Sequence, residues 1–326
     1  MKKVSRIIIV FLISLILTTF SILLYFSNSL MIVYRVYEQL KDNQASIETL
    51  GELTNYDVTD DIDVKGIVYK QTDSKEVFLD IYKSTISNKP SPVILYVHGG
   101  SWIYGDNGIP IGLEPIIKSF NESGFSIISV SYELLKEDTP IENPIKDVKD
   151  SIRWIYKNKD KYNFDTDNIG ILGISSGAHL ALMASYSDEN EFIGDKDLSN
   201  YSSKVNYVID VFGPTDLSTL DTSSIEEEYK EEIEKLINTK NIINNYSPIN
   251  YISKDSPSTL IIHSKKDEIV PYKNAIELYN SLKDTSKNSK LLTLSSGSHF
   301  FKGYNENELV ALIFEVLKFI DLNKKG

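Results

Sequence analysis

Gly173-Ile174-Ser175-Ser176-Gly177 sets a serine between two glycines. The apolar stretch Asn168-Ile169-Gly170-Ile171-Leu172 leads into it and the helix formers Ala178-His179-Leu180-Ala181-Leu182-Met183-Ala184 follow, so Ser175 is expected at a strand-to-helix turn. A serine in such a strained turn has its hydroxyl pushed out at the carboxyl edge of a sheet, where it can attack a carbonyl. A hydroxyl is a poor nucleophile on its own. It needs a base to take its proton, an acid to orient that base, and N–H donors for the developing oxyanion.

Each of those partners has a candidate at the end of an apolar run. Val97-His98-Gly99-Gly100-Ser101-Trp102 closes the run 92–97, and its two glycines let the amides of Gly99 and Gly100 turn toward an oxyanion, with the amide of Ser176 as a further donor. Asp267 stands just past the buried run Leu260-Ile261-Ile262-His263 and is the expected acid, with Glu268 as its competitor. His299 follows the last strand on the loop Ser295-Ser296-Gly297-Ser298-His299. Of the chain's 4 histidines, His98 falls in the glycine turn, His179 on the helix after Ser175 and His263 at a strand end. His299 alone follows the acid in chain order, so it is the expected base.

The elements that must carry these residues alternate. Short strand-like runs near 64–70, 76–83, 92–97, 125–131, 169–174, 206–211, 258–263 and 290–294 are interleaved with helical patterns near 111–121, 145–158, 176–187, 224–239, 272–284 and 306–321. The middle strands are continuously apolar, as expected when helices cover both faces of a mostly parallel sheet of eight strands. The stretch 217–247 exceeds what a crossover needs, and reads either as a cap over the site or as a surface excursion.

Before residue 56 the chain reads differently. Lys2, Lys3 and Arg6 precede Ile7 to Phe26, which carries no charge, proline or glycine and is long enough to span a bilayer. We expect residues 1–28 to be a transmembrane signal anchor with a cytoplasmic amino terminus, a cleaved secretory signal being the alternative. Residues 29–55 read as a helical stalk or linker, and 56–326 as one catalytic domain lying outside the cytoplasm. The formal net charge of −12 argues against nucleic acid as a partner, and 0 cysteines exclude disulfides and thiolate metal sites. No paired-histidine metal motif is present, and neither a cofactor nor a metal is called for.

The segments His98 to Trp102, Ser131-Tyr132-Glu133-Leu134, Asp147 through Tyr156, Gly173 through Ala181, Phe212 through Leu217, His263 through Pro271 and Gly297-Ser298-His299 together resemble the α/β-hydrolase esterases. The nearest branch is the acetyl-xylan and feruloyl esterase-like group, beside the hormone-sensitive-lipase-like carboxylesterases, and the resemblance runs from about 62 to 322. It implies ester hydrolysis through an acyl-enzyme on short-to-medium acyl esters, O-acetyl esters or small-molecule and polysaccharide-linked esters among them. Ile174, Ser176, Ser264 and Glu133 depart from the family pattern, so xylan chemistry is not carried over. Two other readings fit the same fold: a prolyl-oligopeptidase-like serine peptidase, and a surface binding protein without catalysis.

Overall fold

The computed structural model describes residues 59–71, 75–110, 113–136, 139–220, 240–285, 288–299 and 306–325, with Tyr34, Lys230, Ile233 and Glu234. The expected anchor (1–28), nearly all of the stalk (29–55) and most of the helix expected near 224–239 lie outside these residues. Among the described residues no helix is long and apolar enough to cross a membrane.

Eight strands form one sheet in the order β1-β2-β4-β3-β5-β6-β7-β8. They are β1 (Val64–Gln71), β2 (Glu76–Tyr82), β3 (Ser91–Val97), β4 (Ser126–Val130), β5 (Phe164–Ile174), β6 (Tyr207–Val211), β7 (Ser258–Ser264) and β8 (Lys290–Leu294). The sheet is mixed: β2 runs antiparallel to both β1 and β4, and every pairing from β4 through β8 is parallel. The parallel part aligns the carboxyl ends of β3, β5, β6 and β7 along one edge. Catalytic chemistry in open parallel sheets is placed at that edge.

The helices are α1 (Glu114–Glu122), α2 (Glu142–Lys157), α3 (Lys159–Tyr162), α4 (Ser176–Tyr186), α5 (Lys240–Tyr246), α6 (Lys273–Leu282) and α7 (Glu306–Asn323). Strand side chains alternate faces, and here both faces are apolar. Val93, Leu95 and Val97 join one buried cluster with residues of α2, α4 and α6, whereas Ile94 and Tyr96 join another with residues of α1 and α7. Helix α4 is buried almost throughout, so the turn that starts it is held between rigid elements.

One polar seam crosses this core. Lys70 on β1 pairs with Asp147 (2.7 Å) and Asp150 (3.0 Å) of α2, and Arg153 pairs with Asp150 at 2.8 Å. All four side chains are at most 7% exposed, so removing one would leave an uncompensated buried charge, a loss of about 3–5 kcal/mol. The seam fixes the antiparallel edge to the helix layer behind the site.

The excursion at 217–247 is closed at its base, where the Leu217 amide donates to Ser247 Oγ at 3.0 Å. Its described end contains α5, which was not expected from the asparagine-rich Lys240-Asn241-Ile242-Ile243-Asn244-Asn245-Tyr246.

Candidate active site

Ser175 caps α4 with φ 53° and ψ −121°, a left-handed backbone that a non-glycine residue adopts at a cost of about 1–3 kcal/mol. The turn is held by the Ser175 amide donating to Val211 O at 2.8 Å, and by the Ser175 carbonyl accepting from Ala178 and His179. Glycine is required at 177 because a Cβ there would lie 2.3 Å from the carbonyl oxygens of both Val97 and His98. This close approach brings the glycine turn after β3 against the serine turn after β5. A Cβ on Gly99 would come within 3.5 Å of that of Ser175.

The three residues expected to act on a carbonyl come together. His299 Nε2 lies 2.8 Å from Ser175 Oγ, and His299 Nδ1 lies 2.7 Å from Asp267 Oδ2. A carboxylate only accepts, so Nδ1 carries the proton, and Nε2 is left as the acceptor for the serine hydroxyl. Asp267 Oδ1 accepts the amides of Ile269 (3.0 Å) and Val270 (2.8 Å). Burial pushes the Asp267 carboxyl up, but hydrogen bonds from His263 and His299 outweigh it and hold the group well below the usual carboxylate range. Asp267 is therefore a carboxylate at neutral pH. Glu268, its competitor, is exposed.

On the other side of Ser175, the amides of Gly99, Gly100 and Ser176 donate to no backbone acceptor among the described residues. The turn itself is tight: Gly100 has φ 121° and its carbonyl accepts from Ile103 and Tyr104, while Ser101 and Trp102 also have positive φ. His98 does not act as a base. Its Nδ1 lies 2.6 Å from Gly99 O, its ring stacks on Tyr132 at 4.1 Å, and burial pushes its pKa down to about 4, so it packs the turn as a neutral ring.

His179 also packs, and it does more than fill space. Trp102 Nε1 donates to His179 Nδ1 at 3.2 Å, and His179 Nε2 donates to Tyr246 O at 2.7 Å. The ring thus ties the glycine turn to α5, a link invisible in the sequence because its three members lie on three separate segments. Ser264 is a second such link. Its Oγ donates to Gly297 O at 2.6 Å, steadying the loop that carries His299.

The chain is similar to known esterases. Esterase LipC of Mycobacterium tuberculosis is 24% identical over 237 residues, which are 70% of this chain and 58% of LipC. The chain thus spans little more than half the length of that curated relative. The esterase Est2 of Thermogutta terrifontis, solved with propionate bound, superposes with a TM-score of 0.63 at 20% identity, covering 84% of this chain and 98% of its own. A truncated carbohydrate esterase from gut microbiota superposes with a TM-score of 0.58 at 24% identity, covering 80% of this chain and 99% of its own. At such identities these two structures establish the shared α/β-hydrolase fold. The BD-FAE family model matches residues 79–282, more than half of the sequence and inclusive of Ser175 and Asp267, and the chain belongs to that family of esterase-type α/β-hydrolases.

Proposed function

We propose that this protein is a serine carboxylic-ester hydrolase that works through an acyl-enzyme. The observation that carries the reading is the unbroken hydrogen-bond chain from Ser175 through His299 to Asp267. In the first half-reaction Ser175 Oγ attacks the ester carbonyl as its proton passes to His299 Nε2. Asp267 stabilises the imidazolium that forms, and His299 then returns the proton to the departing alcohol. The amides of Gly99, Gly100 and Ser176 receive the negative charge on the carbonyl oxygen, each such donor being worth about 2.7–4 kcal/mol of barrier. In the second half-reaction His299 activates a water that releases the acid.

The substrates we propose are short-to-medium acyl esters, O-acetyl groups on small molecules or polysaccharides included. The esterase names of LipC and Est2 and the carbohydrate esterase among the solved relatives support this class. We further propose that Ile7 to Phe26 anchors the chain and keeps residues 56–326 outside the cytoplasm as the catalytic domain. Within it, 217–247 serves as a cap, a role supported by its closed base and its tie to the glycine turn through His179.

A panel of p-nitrophenyl esters from two to twelve acyl carbons tests the reading. Wild-type protein is expected to turn over the short members fastest, and Ser175→Ala to lose turnover on all of them. Equal hydrolysis by wild type and Ser175→Ala would overturn it.

A further inference from the structure

His263 is buried with its side chain fully shut off from solvent, and it has no part in the scheme above. Its Nε2 lies 2.9 Å from Val270 O and 3.2 Å from Asp267 Oδ2. Both neighbours are acceptors, so Nε2 carries the proton and shares it between them, and Nδ1, which has no hydrogen-bond partner among the described residues, is the bare nitrogen. The backbone of His263 is fixed in β7 opposite Thr293 of β8, and its ring is wedged edge-on between Phe212 and Tyr272 at 5.8 and 5.9 Å. The donor can therefore hardly move.

We propose that His263 is a positioning residue for Asp267, the fourth member of a relay Ser175–His299–Asp267–His263. The inference rests on the esterase reading and deepens it. Two N–H groups reach each carboxylate oxygen: Ile269 and Val270 on Oδ1, His299 and His263 on Oδ2. Three of these four come from the segment 263–270 itself, so the acid is oriented before His299 reaches it. With Oδ2 already sharing its charge with His263, its stabilisation of the His299 imidazolium through Nδ1 is tempered, and His299 is set to release the proton held on Nε2 to the leaving alcohol. The ionisable groups that face the relay are Asp210 from β6, which interacts electrostatically with His263, and Tyr272 ahead of α6.

The test is the pH dependence of kcat/KM for wild type, His263→Leu and His263→Gln on a p-nitrophenyl ester, with the full-length chain. Leucine removes the donor, leaving Asp267 more basic and the imidazolium of His299 more favoured, so the acid limb should move to higher pH. Loss of a hydrogen bond to a charged group should also lower kcat by about tenfold or more, with KM little changed. Glutamine supplies an amide donor and should recover most of both. An acid limb unmoved in His263→Leu, or a shared loss in both variants with no shift, would reduce His263 to a packing residue and overturn the proposal.

Should His263→Leu fail to fold, long-range ¹H–¹⁵N spectra of the wild type decide the same point. A proton on Nε2 with bare Nδ1 is expected, and the opposite tautomer would overturn it. A wild type that hydrolyses no ester and takes up no fluorophosphonate would instead sink the esterase reading itself.

Discussion

Two aspartates sit in the same layer of this protein and meet opposite fates. Asp267, past the end of β7, accepts four N–H groups and is held well below the usual carboxylate range even though burial works against it. Asp210, within β6, is fully buried and accepts one, the Gly213 amide at 2.9 Å; its Oδ2 has no hydrogen-bond partner among the described residues. Burial pushes it up to about 7, with His263 and the Gly213 amide pulling only partly back. Burial alone does not decide the charge of a carboxyl group. The number of donors aimed at it does, and the fold concentrates them on the carboxylate beside His299.

Substituting asparagine at each position should separate the two most sharply. Asp267→Asn is expected to lower kcat on the order of ten-thousand-fold, because the amide favours the wrong tautomer of His299. Asp210→Asn should leave steady-state ester hydrolysis within a few-fold of wild type. Equal losses would break the comparison.

Stability should respond to pH with opposite signs at the two sites. A raised folded-state pKa contributes stability at low pH that is lost as pH rises through the folded value. For Asp210 the window runs from about 4 to about 7, and the shift from 3.8 to about 7 corresponds to roughly 4 kcal/mol at full effect. Asp267 has the reverse sign: its contribution is present above pH 4 and is lost as pH falls through its depressed value. Thermal unfolding from pH 3 to 8 should therefore show Asp210→Asn gaining on wild type as pH rises toward 8, while Asp267→Asn loses the acid-side dependence.

His179 extends the contrast to a neutral buried group. Burial pushes its pKa down to about 4, outweighing the hydrogen bond to Tyr246, so its stability is present above about 6.5 and lost as pH falls toward 4. His179→Ala would orphan Trp102 Nε1 and Tyr246 O, and a loss of about 1–3 kcal/mol with a drop in kcat is expected from denaturant melts and ester assays. A variant with unchanged kcat would show that the glycine turn holds its shape without this tether. The smallest effect is expected from Ser264→Gly, which removes the Oγ that donates to Gly297 O and accepts from the Lys266 amide, and should cost about 1–2 kcal/mol and a few-fold in kcat.

The strands and the meeting of Ser175, Asp267 and His299 were legible in the sequence because each is announced locally: an apolar run of limited length, then a turn carrying the candidate residue. The expected strands fall within a residue or two of those observed, apart from β5, which starts at Phe164 through the polar Asp165-Thr166-Asp167-Asn168. That start pairs with β3 across a register irregularity between Pro92 and Val93, a feature with no periodic signature. The antiparallel edge at β2 was likewise not marked, since both kinds of strand read as apolar when covered on both sides. What the sequence could not give were the side-chain ties between distant segments, Trp102 to His179 to Tyr246 and Ser264 to Gly297. In the sequence His263 reads only as a strand-end histidine, because its four-residue spacing from Asp267 carries meaning only once the turn between them folds back.

Intact-mass analysis after exposure of the full-length chain to a fluorophosphonate tests the central claim most directly, with Ser175→Ala alongside. One adduct on the wild type and none on Ser175→Ala is the expected result, since the phosphonyl group reports a serine activated by its own base. A folded wild type that takes up no adduct, or an adduct that persists in Ser175→Ala, would contradict the account.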